Sequence, residues 1–298
     1  MSKKNSNIGG WLCLDKPAGM SSNAAMIKVR RILGARTGYL GTLDPFATGV
    51  LPIAVGEARK FIHFLEDSSQ KEYEFAVVFG KTTDTLDKDG KIVGESSKIP
   101  TSEEIKNILP DFFGWQWQRP PIFSALKVSG RRACDRVRAG ENVELAPREI
   151  EVFSLSLEAT QDNIFRFRVI CSKGTYVRGL ARDIAEKLGS LAYVDELKRT
   201  RSGFFSIKHA IPLEKLSEIE DNTLVRLLIP TESPLDDIPA LYLESGLVKM
   251  VQHGLRISLE NQLLLSYVRI HDSADGSFKG IGSIFDDGLL KAVRMCVY

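Results

Sequence analysis

A spacing of apolar positions close to 3.6 residues predicts a helix near the start of the chain. In the segment SSNAAMIKVRRILG the apolar stripe consists of Met26, Val29, Ile32 and Leu33. Ser21 or Ser22 precedes this stripe as a helix cap, and Gly34 follows it as a stop signal. We therefore expect an amphipathic helix that ends at Gly34.

Alternation of apolar and polar positions predicts strands in two later segments. In KEYEFAVVFG the apolar face consists of Tyr73, Phe75, Val77 and Phe79. The segment FRFRVICSKGTYVRGLARDIAEKLG begins with the same period, turns at Gly174, and continues as a helix that stops at Gly189. Strands and helices thus mix without a regular βαβ order, which predicts an α+β fold on a mixed or largely antiparallel sheet.

Composition narrows the class of protein. The 298 residues are 43% hydrophobic, enough for one large domain with a sizeable core and a second small one. The four cysteines, Cys13, Cys134, Cys171 and Cys296, are scattered without the spacing of a zinc site or a disulfide framework. No segment reads as a signal peptide or a membrane span, so we expect a cytoplasmic protein without a metal or a membrane partner.

The charge is unevenly distributed along the chain. Residues 1–205 carry 31 Lys and Arg against 25 Asp and Glu, whereas residues 206–298 carry 9 against 13. The basic residues concentrate in three segments, KVRRILGAR, KVSGRRACDRVRAG and LKRTRSG. One such run is usually a solvated helix face, but three of them indicate a polyanionic partner such as RNA.

The segment GYLGTLDPFATGVLPIAVG, residues 38–56, contains one charged side chain, Asp44. An Asp-Pro pair is most often only a turn. Here, however, the carboxylate stands among apolar residues, where it needs a compensating partner, and such groups are candidates for chemistry. The acidic stretch TTDTLDKDG lacks the spacing of a calcium loop and is predicted to be a polar turn between strands.

Five segments in order carry a resemblance to a known family. They are LDKPAGMSS, GTLDPFATGVLPIAVGEARK, KEYEFAVVFGKTTDTLDKDG, RPPIFSALKVSGRR and SKGTYVRGLARDIAEKLG. Together they resemble the TruB family of bacterial tRNA pseudouridine-55 synthases, over roughly residues 10–205. The resemblance implies isomerisation of a T-loop uridine to pseudouridine on a flipped-out base, without a cofactor, and it implies tRNA as the partner of a monomer.

The resemblance also implies roles for individual residues. Asp44, in GTLDP, takes the place of the family nucleophile, which attacks either the base or the sugar. Tyr73 takes the place of the tyrosine that stacks on the base and assists proton transfer. Arg178 takes the place of the arginine that pairs with the catalytic carboxylate. Tyr176 and Leu197 match further pocket residues, and Lys16 and Pro17 match a mainly structural motif.

Three positions depart from the family pattern. Tyr39 stands where the family has a histidine thought to stack with the target base, so Tyr39 is the expected replacement in substrate binding. Phe123 replaces a tyrosine, and Cys134 replaces an aromatic residue. These departures leave open a second function: a tRNA-binding or tRNA-folding protein that has lost catalysis.

A basic insertion at residues 119–148 matches the segment that closes over the T-arm. Its candidates for RNA-backbone contacts are Lys127, Arg132 and Arg136. We expect Arg132 and Arg136 to lie four apart on one helix, with Asp135 able to neutralise Arg131.

The resemblance fades after about residue 206. Beyond that point the domain limits are predicted from the amino-acid composition of the segments. We predict a catalytic domain at 1–230, a linker at 231–239, and a small β-rich domain of the PUA type at 240–298. A turn at Asp286 to Gly288 closes a predicted hairpin there. The acidic balance of this last domain leaves RNA binding and a purely structural role as equal alternatives.

Overall fold

The structure is a computed structural model that describes residues 9–66, 70–128, 130–161, 163–219, 221–259 and 265–296. The described part of the chain contains two β units, eight α-helices and four short 3-10 helices. The helices are α1 (Ser22–Leu33), α2 (Ile62–Glu66), α3 (Ser102–Ile108), α4 (Ala133–Arg138), α5 (Val177–Lys187), α6 (Leu213–Leu216), α7 (Asp221–Arg226) and α8 (Ser245–Gln252). No helix within these ranges is both long and apolar enough to cross a membrane.

The larger unit is built on a ten-stranded sheet with two small hairpins beside it. Its strands and those of the hairpins are β1 (Gly10–Lys16), β2 (Thr37–Tyr39), β3 (Thr48–Val55), β4 (Lys71–Phe79), β5 (Lys81–Thr83), β6 (Ile92–Glu95), β7 (Gly114–Gln118), β8 (Lys127–Val128), β9 (Arg131–Arg132), β10 (Arg148–Gln161), β11 (Ile164–Cys171), β12 (Ala192–Ser202), β13 (Phe205–Ser206) and β14 (Ile211–Pro212). The sheet runs β14-β1-β3-β12-β4-β11-β10-β7, with β2 on β3 and β13 on β12. Among the strand pairs described for this sheet, only β1–β14 and β3–β12 are parallel. This mixed sheet confirms the predicted α+β class.

The periodic segments form the elements that their patterns predict. Ser21 caps α1 by accepting a hydrogen bond from the Ala24 amide, and Gly34 ends the helix with φ of 63°, a conformation that favours glycine. The alternating aromatic and aliphatic residues of β4 are buried. They join the apolar faces of α1 and α5 in the main core, so these two helices fix the sheet around the site described below.

The C-terminal unit is a five-stranded sheet with α8 packed on it. Its strands are β15 (Ala240–Leu243), β16 (Ile257–Ser258), β17 (Leu265–Asp272), β18 (Phe278–Ile284) and β19 (Leu289–Met295). The turn between β18 and β19 holds Asp286 to Gly288, where the hairpin was predicted.

A second core joins the C-terminal unit to the main sheet, with Trp11 and Phe61 on one side and Phe278 and Ile281 on the other. The ring nitrogen of Trp11 donates to the Thr231 carbonyl at 3.1 Å. The start of the segment predicted as a linker is therefore packed against β1, while the domain limits themselves stay a prediction.

Candidate active site

Asp44 lies in the loop between β2 and β3, and the neighbouring helix fixes the backbone of this loop. The Ser22 hydroxyl of α1 lies 2.8 Å from the Leu43 amide and 3.0 Å from the Leu43 carbonyl, so it binds both groups of one residue. The Asp44 carbonyl accepts a hydrogen bond from the Ala47 amide at 3.1 Å, which closes a turn. The turn interpretation of the Asp-Pro pair is thus correct, yet the Asp44 side chain remains available for a second role.

Lys16, at the end of β1, supports the same loop from inside the protein. Its fully buried ammonium donates to the carbonyls of Pro17, Met20 and Pro45, at 2.8, 2.7 and 3.3 Å. Burial lowers the pKa of Lys16 to about 8, although the nearby Asp44 carboxylate opposes that shift. Lys16 therefore ties the residue after Asp44 to the chain that follows β1.

Arg178 holds the Asp44 carboxylate through two nitrogen atoms. Its Nη2 donates to Oδ1 at 2.9 Å, and its Nε lies 2.8 Å from Oδ2. The Arg178 side chain is 3% exposed and that of Asp44 is 29% exposed, so the carboxylate faces solvent over a buried cation. One hydrogen bond and a second close ion-pair contact together fix the direction of the carboxylate.

The rest of the Arg178 guanidinium is also bonded. It donates to the carbonyls of Thr85 and Phe123 at 2.7 and 3.0 Å, and its Nη1 lies 3.3 Å from the Asp87 carboxylate. Burial raises the pKa of Asp87, while the Thr85 hydroxyl and Arg178 lower it. Three separate loops thus meet on Arg178, and the site depends on all of them.

Tyr73 of β4 lies directly opposite Arg199 of β12 in the sheet. The Arg199 guanidinium is fully buried, lies beside the Tyr73 hydroxyl, and donates to the carbonyls of Val50 and Gly41 at 2.8 and 2.9 Å. Burial raises the pKa of Tyr73, and Arg199 acts in the opposite direction. Tyr73 is therefore a neutral phenol at physiological pH, with a fixed cation next to its hydroxyl group.

Tyr176 and Leu197 complete the predicted pocket set. Tyr176 occupies the N-cap position of α5 without a capping bond from its side chain, and the Gln118 side chain both accepts from its amide at 2.8 Å and donates to its carbonyl at 3.1 Å. Burial raises the pKa of Tyr176, and a hydrogen bond with Ser124 opposes this. Leu197 is buried beside Phe75. It lines a cavity of about 490 Å³ with Phe46 of the Asp44 loop and Thr48 of β3, and the side chains of Asp44, Tyr73, Tyr176 and Arg178 are not part of that lining.

Comparison with known proteins agrees with this geometry. Family models match residues 30–177 (TruB family pseudouridylate synthase, N terminal domain), 178–236 (tRNA pseudouridylate synthase B C-terminal domain) and 239–296 (Pseudouridine synthase II TruB, C-terminal). The tRNA pseudouridine synthase B of Zymomonas mobilis is 40% identical over 281 residues, which cover 88% of this chain and 92% of that protein. The chain belongs to the TruB family.

A second relative and one solved structure extend the match. The tRNA pseudouridine synthase B of Pseudomonas fluorescens strain Pf0-1 is 40% identical over 294 residues, covering 97% of this chain and 96% of that protein. A chain of a Cbf5-Nop10-Gar1 complex shares the fold, with a TM-score of 0.70 at 24% identity over 97% of this chain and 85% of that one. As a TruB protein, the chain is a tRNA pseudouridine synthase, which is an isomerase.

The three departures from the TruB pattern lie in different environments. Tyr39 is half-buried at the end of β2, opposite Ile53 of β3, and its ring packs against the main core. Phe123 meets Arg178 through its backbone carbonyl, a contact that any side chain would permit. Cys134 lies in α4, partly exposed, with its sulfur 3.8 Å from an Asp135 carboxylate oxygen.

The basic insertion forms a hairpin (β8 and β9) followed by α4, around a small core of its own. The predicted helical spacing of Arg132 and Arg136 is wrong, because α4 begins at Ala133 and Arg132 lies in β9. The predicted neutralisation of Arg131 by Asp135 is also wrong. Glu141 instead pairs with Arg131 at 2.7 Å and with Arg136 at 2.6 Å.

Of the three residues predicted to contact the RNA backbone, Lys127 and Arg132 are exposed cations of the basic insertion. Neither has a carboxylate within ion-pair distance among the residues that the structure describes. Arg136 is already occupied by Glu141, and its side chain is only 25% exposed.

Arg199 and Asp87 are the site residues that sequence reasoning missed. In the sequence Arg199 is one member of the basic run LKRTRSG, although its position two residues after the buried Leu197 places it on the inner face of β12. The sequence predicts Asp87 only as part of a polar turn. Nothing in its immediate neighbours distinguishes it from Asp84 or Asp89.

Proposed function

We propose that this chain converts the T-loop uridine at position 55 of tRNA to pseudouridine, with Asp44 as the nucleophile that acts on a flipped-out base. The family activity is pseudouridine formation in tRNA. The proposal adds the uridine that is converted and the residue that acts as the nucleophile. It rests on one observation above all, the two-point contact of the Asp44 carboxylate with the buried Arg178 guanidinium.

That contact gives Asp44 what a nucleophile needs. The guanidinium fixes the orientation of the carboxylate, and the partial exposure of Asp44 leaves room for a substrate atom. In the net reaction the N1–C1′ glycosidic bond breaks, the uracil turns, and a C5–C1′ bond forms. One proton leaves C5 and one is gained at N1, so the composition of the RNA does not change.

We assign Tyr73 to the turned base. Because its hydroxyl is neutral and lies beside Arg199, Tyr73 would offer the base a ring face for stacking and a hydroxyl group for hydrogen bonding. Tyr176 and Leu197 supply apolar surface around the same base. No step in this account requires a cofactor.

Access to the base requires that the nucleotide leave its stacked position, which costs a few kcal/mol. Phosphate contacts from the insertion, above all from the exposed Lys127 and Arg132, would offset part of this cost.

The test uses a tRNA transcript labelled with tritium at C5 of its uridines. Tritium release is expected with the wild-type transcript and is expected to vanish when position 55 is cytidine. Asp44→Asn should abolish release, while tRNA affinity changes by no more than about 1 kcal/mol. Release from the position-55 cytidine transcript would contradict the position, readily measurable turnover of Asp44→Asn would contradict the nucleophile, and tight binding without any release would support a binding protein that has lost catalysis.

A further inference from the structure

Strand β7 forms one free edge of the main sheet and carries two exposed tryptophans. Trp115 is 65% exposed and Trp117 is 71% exposed. Gln118, the next residue, points the opposite way and binds the backbone of Tyr176 at the candidate active site. Because side chains alternate along a strand, both tryptophans lie on the sheet face directed away from that site.

The backbone of these two residues also points away from the sheet. In the neighbouring strand β10, Glu151 directs its carbonyl to the Ser172 amide and its amide to the Ser172 side chain, both on the β11 side. Its partner in β7, Trp115, therefore forms a pair without hydrogen bonds and directs its own amide and carbonyl outward. By the same alternation Trp117 does so too, and within the described ranges no turn, loop or side-chain hydrogen bond reaches either backbone.

The surface around the tryptophans is acidic. Glu149 and Glu151 lie opposite Trp117 and Trp115 on the same face of the sheet. Neither carboxylate pairs with a Lys or Arg of the described chain. The adjacent Arg148 lies on the other face, where its charge acts on Tyr176. The sheet edge thus has a basic side toward the candidate active site and an acidic, aromatic side away from it, which disfavours RNA on the latter.

We propose that this edge, defined by Trp115, Trp117, Glu149 and Glu151, binds an extended segment of another polypeptide with basic side chains at alternate positions. The segment adds to β7 as a further strand. Its backbone bonds to the outward amides and carbonyls of the two tryptophans.

Three features of the edge fit this occupant. The sequence of β7, GWQWQ, has no Lys, no Pro and no bulge, the devices that normally protect an edge strand from pairing. Lysine or arginine stems of an added strand would lie across the indole rings, in the geometry of cation–π contacts. Their charged ends would then reach Glu149 and Glu151 on the next strand.

The experiment titrates the full-length protein with the peptide Ac-KTKTKTK-NH2 and follows amide hydrogen exchange. We expect exchange at the Trp115 and Trp117 amides to slow at least about tenfold, with no change at Gln116, whose amide already bonds to β10. The matched control is Ac-ETETETE-NH2, which has the same backbone and the opposite charge. Equal protection by the acidic peptide, or none by the basic one, would overturn the proposal.

Variants separate the backbone contribution from the charge. Trp117→Pro removes one outward amide and no bond to β10, so it should abolish protection, whereas Trp117→Phe keeps the amide and a ring and should still bind. Glu149→Gln with Glu151→Gln should weaken binding about tenfold and remove the preference for the basic peptide. Unchanged pseudouridine formation shows that each variant is folded.

Two further measurements test whether RNA or a second copy of this chain binds the edge instead. Protection by a nine-nucleotide oligoadenylate would assign the surface to RNA. A dimer in sedimentation that Trp117→Pro returns to monomer would assign it to a second copy. Either result would overturn the proposal.

Discussion

The Asp44 pocket and the basic insertion both depend on arginines, but they hold them in opposite ways. In the pocket, Arg178 is 3% exposed and contacts two carboxylates and two carbonyls. In the insertion, Arg131 and Arg136 share one carboxylate, that of Glu141, and Arg132 has no partner within the described residues. One set of charges is fixed before substrate arrives, and the other can still move to meet it.

This difference follows from what each region has to do. A nucleophile must keep one position relative to the reacting atoms. Its supporting cation is therefore buried and contacts several partners at once. A surface that holds an irregular RNA backbone gains from side chains that can change rotamer. The small core of the insertion, Ala133, Val143 and Leu145, holds the hairpin and helix together without fixing the arginine ends.

The sharpest test of the comparison removes one arginine from each region. Arg178→Met should lower the free energy of unfolding by about 3 to 5 kcal/mol, because it leaves Asp44 and Asp87 without their cation in a largely buried place. Arg136→Met should cost no more than about 1 kcal/mol, because its pair with Glu141 is partly solvated. Urea denaturation measures both.

Adding Asp44→Asn to Arg178→Met serves as the control, and it should recover part of the loss by removing one unpaired charge. Similar losses for the two single variants would show that pocket and insertion hold their arginines alike.

A second test uses the buried ammonium of Lys16. Its pKa is about 8 in the folded protein, against an ordinary value of 10.5, so between these values the unfolded chain binds more protons than the folded one. Stability contributed by this group therefore rises with pH across that window, by about 3 kcal/mol in total. The free energy of unfolding of the wild type minus that of Lys16→Met should rise accordingly from about pH 7 to about pH 10.

The subtraction is needed because other groups titrate in the same range with either sign. Lys71 has a pKa lowered to about 8 by burial, and burial raises that of Cys171 to about 11. A wild-type-minus-variant difference that stays flat with pH would show that Lys16 titrates normally in the folded protein.

In the insertion the expected effect is smaller and depends on salt. Arg132→Gln should lower the slope of log affinity for tRNA against log salt by about one, as expected when one phosphate contact is lost. Arg136→Gln should change the slope less, because Glu141 already neutralises that guanidinium. Equal slopes for wild type and Arg132→Gln would mean that Arg132 is only a solvated charge.

Sequence patterns predicted the parts of the molecule that follow local periodicity. The helix capped at Ser21, the buried face of β4 and the mixed sheet are set by neighbours along the chain and could be read directly. The pairing of Asp44 with Arg178 joins residues 134 positions apart, and only the family resemblance pointed to it.

The sequence alone could not show which charged residues become partners in the folded protein. Arg199 reads as one member of a basic run until β12 is placed between β3 and β4, which buries it against Tyr73. Glu141 lies outside the helical spacing that was used to pair Arg131, since the contact is formed by the fold of the hairpin and not along a helix. Local rules therefore place the elements, while the partners of buried charges depend on the assembled sheet.

The smallest expected effect concerns Tyr39, the residue in place of the family histidine. Its ring packs against the main core at the end of β2, five residues before Asp44. Tyr39 therefore belongs with the fixed residues around Asp44 and not with the exposed side chains of the insertion. If it serves as a flat partner for a base, Tyr39→Phe should keep single-turnover pseudouridine formation within about tenfold, because stacking tolerates a change of ring. Tyr39→His should be active, and Tyr39→Ala should lose more, since stacking is worth about 1 to 3 kcal/mol per base. Equal losses for the Phe and Ala variants would instead assign the role to the hydroxyl group, and full activity of Tyr39→Ala would show that the ring only completes the core.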